Sequence, residues 1–139
     1  MSVEANKATF QRFFEEVANK GHLAIIDELF DANAIYHLPG SEPLHGPEGV
    51  KGVVTAFRTA FPDLHVKIEQ LIGEGDTIVA RVSPSGTNTG ELMGQAPTGK
   101  QATWSVVHVC RFADGRIAED RITFDQLSFL QQLGLAAVH

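Results

Sequence analysis

The side chains able to do chemistry in this chain gather in one stretch, Trp104–Asp125, which reads WSVVHVCRFADGRIAEDRITFD. It brings together His108, Cys110, Glu119, Asp120, Arg121 and Asp125: an imidazole, a thiol, three carboxylates and a guanidinium. An unperturbed imidazole titrates near ~6.5, so His108 is suited to donate or accept a proton near neutral pH. Abstraction of a proton next to a carbonyl needs one base and one group that stabilises the enolate. Asp120 is the candidate base, and His108 the candidate for proton transfer or enolate stabilisation. Arg121 is a further candidate, for an enolate or a carboxylate. Each has a plainer alternative: His108 as a partly buried cross-strand partner, Asp120 as a surface carboxylate paired with Arg111, Arg121 as a solvated edge residue paired with Glu119. Asp125 directly precedes a helical stretch, where a carboxylate accepts backbone N–H bonds as an N-cap.

These residues are positioned by a hairpin. Two β-prone runs meet at Asp114-Gly115, a dipeptide that tolerates the positive φ angles of a tight type I′ turn. Counting outward from Ala113 opposite Arg116 predicts Phe112 opposite Ile117, Cys110 opposite Glu119, His108 opposite Arg121 and Trp104 opposite Asp125. All of these then share one face, because side chains alternate along a strand. Val107, Val109, Arg111, Asp120, Ile122 and Phe124 take the other. A bulge would reverse the parity beyond it.

Other chemistries are excluded by spacing. The six histidines include no H-x-H or HExxH pattern, and one cysteine cannot build a thiolate cluster, so no metal is expected. Cys110 reads as a small buried hydrophobe rather than a nucleophile. The glycines of GTNTGELMG lie between strands and lack the strand–GxGxxG–helix context of a dinucleotide site. His45 and His65 read as surface residues. Tyr36 and Trp104 are large amphipathic side chains of the kind that line ligand sites, or else plain core.

The remaining elements follow from periodicity. Phe10, Phe13, Phe14 and Val17 form the stripe of an amphipathic helix that stops at Gly21. Leu23, Ile26, Leu29 and Phe30 mark a second short helix, and AIYHL (34–38) a short strand ending at Pro39-Gly40. Pro47 opens a third helix presenting Val50, Val53, Val54, Phe57 and Phe61 before Pro62. From Leu64 two strand runs join at Gly75-Asp76, GQAPTGKQ leads into the hairpin, and 125–133 reads as a closing helix with Gly134 past its end. Helices first and strands second is an α+β pattern, helices on one face of a sheet. At 139 residues the chain is one domain, 1–139. A net charge of -6 without a basic stripe argues against nucleic acid, and no apolar run reaches the ~20 residues of a membrane helix. MSVEANKATF has neither the basic cluster nor the apolar run of a signal peptide, so a cytoplasmic location is expected.

FPDLHVKIEQLIGEGDTIVARV, GTNTGELMGQAPTGKQ and FADGRIAEDRITFDQLSFLQQLG, in that order, resemble the signatures of the SnoaL-like polyketide cyclases, within the nuclear-transport-factor-like superfamily. The resemblance runs from the first helix to Gly134. It implies a cone-shaped α+β barrel, N-terminal helices packed on a curved mixed or antiparallel sheet that encloses an apolar pocket. It further implies a hydrophobic, carbonyl-bearing ligand, an intramolecular aldol step without metal or organic cofactor, and a homodimer through the sheet. The family's cyclases use an aspartate on the last strand as general acid/base and keep a histidine on the strand before it. Counted from the shared Asp-Gly turn, the histidine is His108, and the aspartate position holds Ile122, which cannot move a proton. Asp120 shares a face with Ile122 by alternation and is the acid able to substitute. His37, beside Tyr36, falls where family members place pocket residues, so Tyr36, His37 and Trp104 are expected to orient a substrate. The competing expectation is a small-ligand-binding or dimerisation module without chemistry, because the cyclase aspartate position is Ile122 and fold alone does not decide function.

Overall fold

The computed structural model describes residues 2–136. Helix α1 (Val3–Arg12) starts at Ser2, whose hydroxyl accepts the Ala5 N–H at 3.0 Å. It continues through a wider π turn over Phe13–Ala18, closed by the Asn19 N–H on the Phe14 carbonyl at 3.0 Å. Phe10, Phe13, Phe14 and Val17 are all buried, as their spacing predicts. Arg58 caps the end of this helix by donating to the carbonyls of Ala18 and Asn19. A 3₁₀ turn (Leu23–Ile25) leads into the short helix α2 (Ile26–Leu29).

Strand β1 (Phe30–His37) is longer than the expected AIYHL segment and is followed by the two-residue strand β2 (Leu44–His45). Helix α3 (Gly46–Ala60) carries Pro47 in its first turn, where the missing N–H costs no hydrogen bond. The remaining strands are β3 (His65–Glu74), β4 (Thr77–Thr87), β5 (Gln101–Thr103), β6 (Val106–Ala113) and β7 (Arg116–Phe124). Helix α4 (Gln126–Gln132) follows β7, capped by the Asp125 carboxylate accepting the Ser128 N–H at 2.9 Å. The capping alternative for Asp125 is the one realised.

Among the described residues the sheet has seven strands, in the order β2-β1-β7-β6-β4-β3, with β5 alongside β4. Every pairing is antiparallel except β1 with β7, so the sheet is mixed. It is curved and unclosed, since β2 and β3 sit at opposite ends of the strand order. Its concave face and the helices α1 and α3 enclose one continuous apolar core.

The hairpin departs from the two-residue-loop count in one place. Ala113 pairs with Arg116 and Phe112 with Ile117, as expected, and Asp114 and Gly115 both have positive φ. The register then slips, so that Arg111 pairs with Glu119, Cys110 with Asp120, Val109 with Arg121 and His108 with Ile122. Ala118 is the extra residue of a β-bulge, and it reverses the parity of everything after it. Asp120, Ile122 and Phe124 therefore point to the same face as His108, whereas Glu119 and Arg121 point outward with Val107, Val109 and Arg111. The expected faces of these residues on β7 are corrected by that single residue.

Candidate functional site

The concave face can be followed in rows of cross-strand neighbours. One row runs Tyr36, Asp120, Cys110 and Ile78, and the next Ile122, His108 and Ala80. Phe124, Val106 and Val82 follow, and Trp104 lies beyond them with its backbone N–H on the Pro84 carbonyl at 3.0 Å. Across from these rows stand Phe13 and Phe14 from the π turn and Val53, Val54 and Phe57 from α3. Between the two walls is a chamber of about 100 Å³. Among the described residues its lining is apolar apart from Tyr36, Trp104 and His108, and carries no other ionisable group.

His108 is 6% exposed and accounts for the polar chemistry of that wall. Its Nδ1 lies 2.9 Å from Oδ2 of Asp120, which is 0% exposed. A carboxylate has no proton to give, so the neutral ring carries its hydrogen on Nδ1 and keeps an acceptor lone pair on Nε2. The edges of Phe10 and Phe14 clamp the ring, with centroids at 5.5 Å and 5.1 Å and near-perpendicular planes. Asp120 is not on the chamber wall but behind the imidazole, so the geometry gives it no direct reach to a ligand. Its second oxygen, Oδ1, is buried without a hydrogen-bond partner, a costly arrangement of the kind found at functional sites.

Two neighbours respond to this buried carboxylate. Burial pushes the Tyr36 hydroxyl well above the ordinary tyrosine range, and the charge of Asp120 pushes it further. The phenol is thus held protonated as a donor, and it makes no hydrogen bond among the described residues. Burial, again with Asp120 adding, raises the Cys110 thiol, which leaves it without the thiolate that nucleophilic chemistry requires. Trp104, 6% exposed, packs at 4.5 Å centroid distance from Phe129 and at 5.3 Å from Phe61.

His37 and Arg121 are placed elsewhere. They are paired neighbours on the outer face of β1 and β7 and line no part of the chamber. The His37 Nε2 is 2.7 Å from Oε2 of Glu119, which Arg121 approaches at 3.4 Å and Arg111 at 3.8 Å. The hydrogen bond from His37 holds the Glu119 carboxyl below its usual range. The expected pocket positions of His37 and Arg121 are thus corrected: alternation in β1 puts His37 opposite in sense to Tyr36, and the bulge turns Arg121 outward. Among the described residues no group of histidine, cysteine and carboxylate side chains could hold a metal ion.

A second, wider chamber of about 680 Å³ adjoins the first, bounded by the turn after β1, by α3, by Glu91-Leu92-Met93 and by the start of α4. Leu38, Val53, Phe57 and Phe124 line both chambers. Sequence reading marks Val53 and Phe57 only as members of a helical apolar stripe. No spacing rule separates a cavity wall from solid core, so their role at the junction was invisible there.

Comparison with known proteins agrees over most of the chain. The family model described as SnoaL-like polyketide cyclase matches residues 8–133. An aklanonic acid methyl ester cyclase of Streptomyces peucetius is 30% identical over 121 residues, 86% of this chain and 79% of that protein. Among solved structures, TsrD from Streptomyces laurentii superposes with a TM-score of 0.87 at 23% identity, covering 98% of this chain and 99% of its own, which bears on the fold. IdmH from Streptomyces antibioticus superposes with a TM-score of 0.81 at 30% identity, covering 93% and 98%.

Proposed function

We propose, for a chain that belongs to the SnoaL-like polyketide cyclase family, that it binds a hydrophobic, carbonyl-bearing small molecule and moves a proton on it with His108. The observation that carries this reading is the imidazole on an apolar wall with a buried carboxylate 2.9 Å from its Nδ1. Nε2 takes a proton from the carbon next to a carbonyl. The enolate that forms attacks a second carbonyl of the same molecule, a carbon–carbon bond closes, and the new alkoxide recovers the proton from the imidazolium. Atoms and charge balance within the one substrate, so the step calls on no cofactor. The Tyr36 hydroxyl, kept protonated, is the donor suited to the enolate oxygen, and Trp104 flanks the substrate with its ring and indole N–H. Without a closing carbonyl in reach, the same proton transfer gives an isomerisation.

Asp120 acts in this reading through His108, as a positioning residue rather than as the base. An apolar surround strengthens that role, because solvent does not compete for the hydrogen bond. The relative from Streptomyces peucetius, a cyclase of aklanonic acid methyl ester by name, makes polyketide esters the substrates to try first. The test is turnover of such esters by wild type and His108→Ala. Loss of about 10²-fold or more in kcat is expected for a general base. Equal rates in the two proteins would remove His108 from the chemistry and leave a binding module without catalysis.

A further inference from the structure

The adjoining chambers differ in size and in chemistry. The inner one, about 100 Å³, holds the imidazole and phenol and, among the described residues, has no charge-bearing wall group other than His108. The outer one, about 680 Å³, mixes apolar surface with Ser41, Thr59, Glu91 and Gln126. Four half-buried apolar side chains stand where the two meet: Leu38 at the end of β1, Val53 and Phe57 on α3, and Phe124 at the end of β7. A wall without cations disfavours a buried carboxylate in the inner chamber, because nothing there offsets its desolvation.

We infer that these four side chains form a neck that selects substrates built as a compact, uncharged, carbonyl-bearing head on a larger flat body with polar edges. The inference rests on the proton-transfer reading of His108 and adds which molecule reaches it. The head passes the neck to meet Nε2 of His108 and the Tyr36 hydroxyl. The body stays outside, its ring system against Phe57, Phe124 and Phe129 and its polar edge toward Thr59 and Gln126. Specificity then lies in the neck, at residues that touch no proton. Val53 is the position to probe, because it lines both chambers and has neither a polar atom nor a contact with the His108–Asp120 pair in the hydrogen-bond network.

The probes are 6-methoxy-2-acetylnaphthalene, an acetyl head on a flat body, and acetone, the same head alone. Trp104 is the single tryptophan and lines the inner chamber, so quenching of its fluorescence reads binding without chemistry. α-Proton exchange into heavy water, followed by NMR, reads the chemistry. Val53→Phe is expected to weaken binding of the naphthyl ketone by about 10-fold or more, the scale of a size change in an apolar site. Acetone exchange should fall by much less than naphthyl ketone binding, since a smaller head still passes. Val53→Ala should bind the naphthyl ketone at least as well as wild type. Should Val53→Phe not fold, Leu38→Phe on the other lip of the neck is read in the same way. Absence of saturable quenching in wild type, or a parallel loss for both ketones in the neck variant, would overturn the proposal. Neck-dependent binding with no exchange on either ketone would instead sink the proton-transfer reading and leave the neck standing.

Discussion

An imidazole whose Nδ1 faces a carboxylate has its tautomer chosen for it, and the chosen tautomer is a base on the other side. The pair His108–Asp120 has that form, at 2.9 Å and with the carboxylate out of solvent. An amide at position 120 can turn its NH₂ toward Nδ1 and reverse the tautomer, which would present a donor rather than a lone pair to the chamber. Asp120→Asn is therefore expected to lower kcat by roughly 10²-fold or more while KM moves only a few-fold, because the side chain is behind the wall that substrate touches. Steady-state kinetics on the substrate turned over by wild type separates the two constants. A rise in KM with kcat unchanged would assign Asp120 to packing alone. In the sequence His108 was legible as a candidate for proton transfer or enolate stabilisation and Asp120 as a candidate base, on opposite faces of the hairpin by the count from the turn. Which of them meets the ligand was not, because that depends on depth behind a surface, and depth has no local signature.

The decisive element is the bulge at Ala118. Strand alternation has period two, so one uncounted residue sends a whole segment to the opposite face. The count from the Asp-Gly turn holds as far as Phe112 and Ile117 and fails after them. Deleting Ala118 removes the extra residue but leaves Glu119 outward and Asp120 inward, so the variant should fold with the His108–Asp120 pair intact. Inserting a second alanine there keeps Asp120 and Ile122 inward only if the strand slides by two residues, which moves Asp120 from opposite Cys110 to opposite His108, or if the bulge grows, and should give protein with a markedly lower Tm or none in the soluble fraction. Near-UV circular dichroism of the two variants checks both. If the insertion is tolerated and the deletion is not, the bulge is not what sets the face.

On the scale of the whole molecule, the parallel contact of β1 with β7 joins the N-terminal half to the hairpin, and Glu119 sits on that seam. Its carboxylate faces His37 from β1, Arg111 from β6 and Arg121 from its own strand. The His37 hydrogen bond is the main reason its pKa is depressed below the ordinary 4.5. A depressed carboxyl contributes stability above its unfolded-state pKa and loses it as pH falls through the folded-state value. The wild type should thus melt higher than Glu119→Gln near neutral pH, and the gap should close on acidification below about pH 4. Thermal melts of both proteins across that range test the seam. A gap independent of pH would mean that the glutamate acts by packing alone.

The sequence by itself determined the class and order of the elements. Helical stripes at Phe10–Val17 and Val50–Phe57, the turns at Gly75-Asp76 and Asp114-Gly115, and the cap at Asp125 are all written in local chemistry, since neighbours in the chain satisfy or break each pattern. It also put His108 and Asp120 on the last hairpin, where the structure buries both. Tertiary structure alone decided which residues face inward after Ala118, that His37 and Arg121 belong to the outer surface, and that Leu38, Val53, Phe57 and Phe124 line two adjoining chambers. Those outcomes depend on how strands far apart in sequence pair and on space left unfilled between packed faces. Neither leaves a trace in spacing. The stretch Trp104–Asp125 supplies the groups, and the packing of β1, α1 and α3 around it buries one imidazole against one carboxylate.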